Sequence, residues 1–275
     1  MKRLGRDTMI YGMTTVISRL VSLIMLPVYT RLLTPADYGV MSLLDNTIDV
    51  ATILFTMGAL SGTTRYYFKA ETEQERLTLV GTAFSRLIVS SMIGTLVLLL
   101  GAPLIWQYFL HGAGSPGLIR IAALTFFLGD LSPVALLLLQ IRQRAGLLSV
   151  IGIARLVMQL GLNIVLVVHF RMGVAGVLLS SMITTGVIGV TGVVFYLRIV
   201  GLRFDRAVGK QLGRFGRPYQ LSGAASFILT FGDRFFLQAL AGAAVVGLYG
   251  LAYQFGFLLT QLGVAPFMRA WGPIR

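Results

Sequence analysis

The chain has 275 residues, of which 56% are hydrophobic and only 12% are charged, and its mean hydropathy is +0.83. This composition excludes an ordinary water-soluble domain, in which roughly 25% of the residues are charged. The absence of cysteine excludes disulfides, zinc–thiolate clusters and thiol nucleophiles. A net charge of +13 would favour nucleic-acid binding in a soluble protein, so the placement of the basic residues has to decide their role.

Most of the chain consists of long apolar stretches, each with the ~20 residues that a helix needs to cross ~30 Å of hydrocarbon. In chain order they are Ile10–Leu33, Gly39–Thr64, Leu77–Leu100, Leu118–Leu139, Leu147–Val168, Gly173–Leu197, Tyr219–Leu240 and Ala244–Met268. We therefore predict an all-α, polytopic transmembrane bundle of about eight helices. Only Arg31, Arg120 and Arg171 fall in the connections on one side, whereas most Lys and Arg residues fall on the other. This asymmetry predicts that both termini are cytoplasmic and that the basic excess faces anionic lipid rather than nucleic acid.

The longest predicted connection, Val200–Arg217, has helical periodicity on two faces. Its basic residues recur three or four positions apart, and its apolar residues do so on another face. The basic residues are Arg203, Arg206, Lys210, Arg214 and Arg217. The pattern predicts a helix in the headgroup plane that contacts anionic lipid; a solvated basic loop is the alternative. It divides the chain into a six-helix lobe (residues 1–199), a connecting helix (200–217) and the first two helices of an incomplete second lobe (218–275).

A faint internal repeat supports this division. The segment Leu32–Leu43 aligns with Leu240–Leu251, and a leucine, a glycine and a leucine coincide. Each copy joins two predicted helices by a short external turn. Internal duplication is common in secondary transporters, whose sites lie between the repeats. The second lobe is then cut short after two helices.

Charged residues inside the apolar stretches are the main indication of function, because each costs at least ~2.5–3.5 kcal/mol in hydrocarbon and usually faces a polar cavity. They are Arg19, Asp45, Asp49, Arg86, Asp130, Arg155, Asp233 and Arg234. Arg19, Arg86 and Arg155 lie at a similar depth, ~13 Å inside the cytoplasmic ends of their helices. We predict that they form a cationic belt around a cavity suited to phosphate. Snorkelling to the headgroups, or pairing of each arginine with an aspartate, remains the alternative.

The aspartates are candidates for coupling transport to an ion. Asp45 and Asp49 share one helix face, and their mutual repulsion suits a proton or sodium site unless Arg19 neutralises one of them. Asp130 lies three residues before Pro133 and either takes part in coupling or forms a hydrogen bond to the backbone that the proline frees. Asp233 and Arg234 point in different directions and should meet partners on other helices.

The sequence contains little that indicates an enzyme. His111 and His169 lie in separate external loops, and the motifs of metalloproteases, nucleophile elbows and phosphate-binding loops are absent from the sequence. We therefore predict a protein without a cofactor, a metal or an enzymatic activity, in which any transport is driven by a gradient.

Two motifs resemble a known family. The segment Tyr29–Gly39 (YTRLLTPADYG) resembles the stretch between the first two helices of bacterial polysaccharide exporters of the O-antigen flippase type. The segment Asp233–Leu237 (DRFFL), followed by Val246–Ala252 (VGLYGLA), is similar to the seventh-to-eighth helix region of the same family. The wider superfamily also contains multidrug exporters, and its members have twelve or fourteen helices in two lobes around a central, often cationic cavity.

The resemblance implies export of an undecaprenyl-diphosphate-linked oligosaccharide across the bacterial inner membrane by alternating access. It also implies that Arg19, Arg86, Arg155 and Arg234 face the diphosphate and sugar, that the aspartates couple transport to an ion, and that other polysaccharide-assembly proteins are partners. A cation-coupled multidrug exporter of the same architecture and a non-transporting scaffold or fragment are the alternatives. The end of the chain after about eight helices departs from the family pattern.

Overall fold

The structure is a computed structural model that describes residues 29–56, 58, 60, 62–142 and 144–259. Those residues are helical apart from short connections and contain no β-strand, as the all-α prediction requires. The helices are α1 (Pro35–Ala51), α2 (Thr63–Lys69), α3 (Glu73–Leu104), α4 (Pro116–Gly129), α5 (Pro133–Ile141), α6 (Ala145–Asn163), α7 (Gly173–Ile199), α8 (Arg206–Phe231), α9 (Asp233–Ala241) and α10 (Ala243–Leu259). Helices α1, α3 and α6 continue into π-helical turns at Thr52–Thr56, Ile105–Phe109 and Ile164–His169.

Four helical stretches among the described residues are long and apolar enough to cross a membrane. They are Glu73–Phe109, Pro116–Ile141, Gly146–His169 and Gly173–Ile199, and they coincide with the third to sixth predicted stretches. Only 11% of the most apolar window of Gly146–His169 is buried inside the protein. A helix that is apolar on its outward faces requires hydrocarbon around it. The protein is therefore embedded in a membrane. The first predicted stretch, Ile10–Leu33, lies almost entirely outside the described residues.

Local capping signals set where the helices begin. Thr34 and Asp37 form a reciprocal capping box at α1: the Asp37 amide donates to Thr34 Oγ1 at 3.2 Å, and the Thr34 amide donates to Asp37 Oδ2 at 2.8 Å. Asp205 caps α8 by accepting hydrogen bonds from the amides of Ala207 and Val208. These caps determine the residues at which α1 and α8 begin.

The connections predicted to share one side do lie together. Those around Asp37, Ser115, Arg171 and Ala243 line a single cavity of about 580 Å³ at one end of the bundle. At the other end, Arg142 pairs with Glu73 at 3.4 Å across the entrances to α6 and α3. The bundle thus has the alternating up-and-down course that the hydropathy pattern predicts.

The fourth predicted stretch, Leu118–Leu139, is broken rather than kinked. Helix α4 ends at Gly129 and α5 begins at Pro133. A proline is favourable at the first position of a helix because it has no N–H to leave unpaired there. Asp130 consequently lies at a helix end and not within a helix.

The Val200–Arg217 segment also differs from its prediction as a separate surface helix. Its helical part is the beginning of α8, which continues through Pro218 to Phe231. Leu212 on the apolar face is fully buried in the hydrophobic core and does not face lipid. The reason is that Gly209 and Gly216 on the same side let α8 approach its neighbours closely. Periodicity reveals that a face is apolar, but not whether lipid or protein covers it.

The repeat identified in the sequence corresponds to a reciprocal contact between α1 and α10. A Cβ atom at Gly39 would lie 1.8 Å from the Ala243 carbonyl oxygen, and one at Gly247 would lie 2.0 Å from the Pro35 carbonyl oxygen. Gly39 aligns with Gly247, and Pro35 aligns with Ala243, so the two repeats contact each other symmetrically. Of the separate elements described, α1 and α10 share the most extensive contact.

We expect Gly247→Ala to destabilise the protein, because its methyl group has no space beside the Pro35 backbone. Such overpacking typically costs ~1–3 kcal/mol. The measurement is thermal unfolding of the purified protein in detergent, where the melting temperature should fall. The matched control is Gly161→Ala in α6, where a Cβ would meet nothing within 4 Å and should raise the melting temperature slightly. Equal melting temperatures for the two variants would contradict the contact.

Candidate functional site: a cationic cavity and a buried arginine cluster

A cavity of about 690 Å³ lies between α8, α3 and the residues that follow α1. It is lined by Leu54, Phe55, Gly58, Arg86, Ser90, Ile93, Lys210, Gly213, Arg214, Arg217 and Gln220. Four of these residues are basic and none is acidic. None of the four basic side chains forms an ion pair with a described residue. Basic side chains in a membrane protein that have no acidic partner within the protein can bind an anion from outside it.

Arg86 lies ~20 Å along α3 from its first residue. Its Nη1 atom donates to the backbone carbonyl of Gly209. Its guanidinium lies against Gly213, where a Cβ atom would come within 2.8 Å of both Nη1 and Nη2. A guanidinium has five N–H donors, and the buried Nε has no partner within the described part of the chain. The glycines of α8 thus create the space that the Arg86 guanidinium occupies at the wall of the cavity.

The opposite wall of the cavity is held by the end of the second predicted stretch. Gln220 donates from Nε2 to the Leu54 carbonyl at 3.0 Å, within the π-helical turn Thr52–Thr56. A Cβ atom at Gly216 would lie 2.1 Å from the Gly58 carbonyl oxygen, so the two backbones touch. Irregular backbone at membrane depth is tolerated where it is buried in protein or lines a cavity, as this turn does.

The structure brings together only part of the predicted cationic belt. Of its members, Arg86 lines the cavity, Arg155 is exposed on α6 and does not line it, and Arg19 lies outside the described residues. Three residues predicted to contact lipid headgroups, Lys210, Arg214 and Arg217, are exposed and also line the cavity. Arg203 and Arg206 are not among the lining residues. The glycines at 209, 213 and 216 are the sequence signal for this arrangement, because they indicate a helix packed tightly against protein.

Arg234 lies in a second polar cluster and is only 8% exposed. Its Nη1 donates to Ser42 Oγ at 2.9 Å and to Asn46 Oδ1 at 3.4 Å, both on α1. Its guanidinium carbon lies 4.8 Å from the ring centre of Phe231 and 5.4 Å from that of Tyr253. Cation–π contacts of this kind stabilise a desolvated guanidinium. Arg234 therefore ties α9 to α1.

The acidic residues around Arg234 have different partners. Asp233 accepts a hydrogen bond from the Tyr249 hydroxyl, which lies 3.2 Å from that of Tyr253 on the next turn of α10. Asp45 and Asp49 are exposed on α1, and the charge of Arg234 acts on both electrostatically. As predicted from their adjacent positions, Asp233 and Arg234 meet partners on different helices.

Asp130 is separate from this cluster. It lies in the break between α4 and α5, and its Oδ2 atom is buried without a hydrogen-bond partner among the described residues. Within the same residues, no three Asp, Glu or His side chains come together as a metal-binding group. Asp130 therefore lies apart from Asp45, Asp49 and Asp233, which are grouped around Arg234.

We expect Arg234→Met to lower the stability of the protein. The variant keeps an apolar stem but leaves Ser42 and Asn46 without their donor and removes the positive charge near Asp45 and Asp49. Loss of hydrogen bonds to a buried charged group typically costs ~1.5–3 kcal/mol. Thermal unfolding measures the effect, and Arg155→Met, at an exposed position, is the matched control that should change little. A melting temperature for Arg234→Met as high as for the control would contradict the cluster.

Comparison with known proteins places these features in a family. A family model described as "Polysaccharide biosynthesis protein" matches residues 4–274, which is nearly the whole chain. No curated protein and no solved structure gives a significant match. The resemblance inferred from Tyr29–Gly39 and Asp233–Leu237 agrees with this result. The chain belongs to the polysaccharide biosynthesis protein family.

Proposed function

We propose that the protein exports a lipid-linked oligosaccharide across the bacterial inner membrane and binds the diphosphate of that lipid in the cationic cavity. The observation that carries the proposal is the set of four basic side chains, Arg86, Lys210, Arg214 and Arg217, around one cavity with no acidic lining residue. Arginine donates two parallel hydrogen bonds to a phosphoryl group, and lysine adds a point charge. An undecaprenyl diphosphate fits this chemistry and the membrane location. No covalent step is required, so the protein is proposed to be a transporter and not an enzyme.

The proposed cycle is alternating access. The basic connections predict that the cationic cavity is on the cytoplasmic side. The reciprocal contact of Gly39 and Gly247 lies towards the other end of the bundle, where α1 and α10 begin, and it holds these two helices together there. Export then requires α1 and α10 to separate while the cavity side closes. Asp45, Asp49, Asp130 and Asp233 remain the proposed groups that couple this change to an ion. Other polysaccharide-assembly proteins remain proposed partners.

We expect Arg86→Ala to reduce glycan export ~10-fold or more, because hydrogen bonds to a charged group contribute ~1.5–3 kcal/mol. The measurement is surface polysaccharide in cells whose export depends on this protein, with the lipid-linked precursor assayed inside the cell. Arg86→Lys should retain part of the activity, since it keeps the charge but loses the planar fork.

The control for this experiment is Arg198→Ala, which removes an exposed arginine at the end of α7 and should leave export unchanged. Normal export by Arg86→Ala, at normal protein levels, would overturn the assignment of the cavity. A uniform loss in both variants would point to an effect of total positive charge.

Alternating access can be tested by cross-linking, because the natural chain has no cysteine. A Cβ atom at Gly250 would lie 3.7 Å from Ser42 Cβ, within the range of a disulfide. We expect the oxidised Ser42→Cys/Gly250→Cys variant to lose export and to regain it on reduction, because α1 and α10 can then separate. Each single variant shows the effect of the substitutions alone.

The matched control links two helices of the same lobe. A Cβ atom at Gly192 would lie 3.6 Å from Ala135 Cβ, so Ala135→Cys/Gly192→Cys should cross-link α5 to α7 without loss of export. Full export by the oxidised Ser42→Cys/Gly250→Cys variant would show that α1 and α10 do not part during transport.

A cation-coupled drug exporter is the second candidate, and the cluster around Arg234 favours it. Asp233 accepts a hydrogen bond from Tyr249, whose ring packs against that of Tyr253, and a carboxylate beside aromatic rings is suited to an organic cation. Asp45 and Asp49 are further acidic residues within electrostatic range of Arg234. The two functions are distinguished by efflux of a cationic dye from cells. Efflux that depends on Asp45 and persists in Arg86→Ala would favour the drug exporter.

A further inference from the structure

The beginning of α8 is held against α3 by two hydrogen bonds in one register. The Asp205 amide donates to Thr82 Oγ1 at 2.9 Å. One turn further along both helices, Arg86 Nη1 donates to the Gly209 carbonyl. The partners of each bond are 123 residues apart, so the two helices run side by side in the same direction. Arg86 lines the cationic cavity, whereas Thr82 is not among the lining residues.

Close backbone packing supports these two bonds. A Cβ atom at Gly81 would lie 2.5 Å from the carbonyl oxygen of Arg203, in the connection that precedes α8. One at Gly209 would lie 3.4 Å from Thr82 Cγ2. Thr82 itself is fully buried. The end of the connection and the first turn of α8 are therefore packed on α3 together.

In this arrangement Arg86 does not offer two adjacent donors to an anion. Its Nη1 atom is bonded to Gly209, and a Cβ atom at Gly213 would come within 2.8 Å of both Nη atoms, so the end of the guanidinium abuts α8. The other donor edge contains Nε, which is buried and has no hydrogen-bond partner among the described residues. Bidentate binding of a phosphoryl group requires two parallel N–H donors. Such an edge is exposed only when α8 moves away from α3.

We propose that the Thr82–Asp205 and Arg86–Gly209 hydrogen bonds form a latch, the α3–α8 latch, which an anion in the cavity releases. The phosphoryl group takes the place of the Gly209 carbonyl on the guanidinium, since a charged acceptor binds it more strongly than a neutral one. Thr82 is a positioning residue that sets how firmly the latch holds. This inference rests on the proposed function and adds a step to it: only an occupied cavity frees the start of α8 to move.

The reciprocity of coupled equilibria provides a test that leaves the cavity unaltered. If anion binding releases the latch, a weaker latch must strengthen anion binding. We expect Thr82→Val, which removes the acceptor of the Asp205 amide, to raise the affinity for inorganic diphosphate about threefold to tenfold. The measurement is equilibrium binding to the purified full chain in nanodiscs of phosphatidylcholine. Thr82→Ser keeps the hydroxyl and should bind diphosphate as the natural protein does.

The matched control is Thr191→Val on α7. Thr191 is exposed, and its hydroxyl donates to the carbonyl four residues earlier, as the hydroxyl of Thr82 does. This control should leave the affinity unchanged. Unchanged or weaker binding by Thr82→Val would overturn the latch, because a threonine that only supports the fold gives no gain in affinity when it is replaced.

A second measurement follows the movement of α8 directly. Gln74 and Gln211 are exposed and line a separate cavity of about 560 Å³ between α2, α3 and α8. Because the natural chain has no cysteine, spin labels can be attached to Gln74→Cys/Gln211→Cys alone. We expect inorganic diphosphate to increase the distance between the labels, as measured by electron paramagnetic resonance. With Arg86→Ala added, the labels should lie further apart before any anion is present.

The outcomes separate the latch from the proposed function. Binding of diphosphate that depends on Arg86 but does not change the distance between the labels would overturn the latch and leave the cationic cavity as the binding site. Failure to bind diphosphate, or binding that survives Arg86→Ala, would count against the cavity itself, and hence against the proposed function and the latch together.

Discussion

The feature on which the rest of this protein depends is a group of basic side chains around one cavity that form no ion pair with any described residue. Arg86 donates to the backbone carbonyl of Gly209 and lines one cavity together with Lys210, Arg214 and Arg217. A charge in this setting is costly unless water or a counter-ion reaches it. A resident aspartate would remove that cost but would also occupy the donors. The cavity keeps its charge available, which is the physical requirement for binding an anion and releasing it again.

Glycine is what makes this arrangement possible. Gly213 leaves room for the guanidinium of Arg86, and Gly216 lets α8 touch the backbone at Gly58. At the other end of the bundle, Gly39 and Gly247 do the same for α1 and α10. Small residues allow membrane helices to approach closely and to be held by packing where no hydrophobic effect drives them together. At both ends of the bundle, therefore, helices are held together by backbone contacts that a glycine-to-alanine substitution would disturb.

The two arginine sites have distinct roles in the fold. Arg86 faces a cavity and has few protein partners, whereas Arg234 is buried by Ser42, Asn46, Phe231 and Tyr253. Burial with hydrogen bonds makes Arg234 part of the joint between α1, α9 and α10. Hydropathy does not predict this difference between Arg86 and Arg234, because it shows only that each is a charged residue within an apolar stretch.

The sequence by itself determined the membrane location, the helical class and the family, because composition, apolar length and the motifs at Tyr29–Gly39 and Asp233–Leu237 are local properties. It also identified Arg86, and it indicated the repeat through Gly39 and Gly247. Only the tertiary structure decided that Lys210, Arg214 and Arg217 join Arg86 at one cavity and that Arg155 does not. The reason is that a helical period reports which residues share a face, whereas the neighbour of that face is set by how closely the helices pack. For α8 that neighbour is protein, and three glycines spaced along one side bring it there.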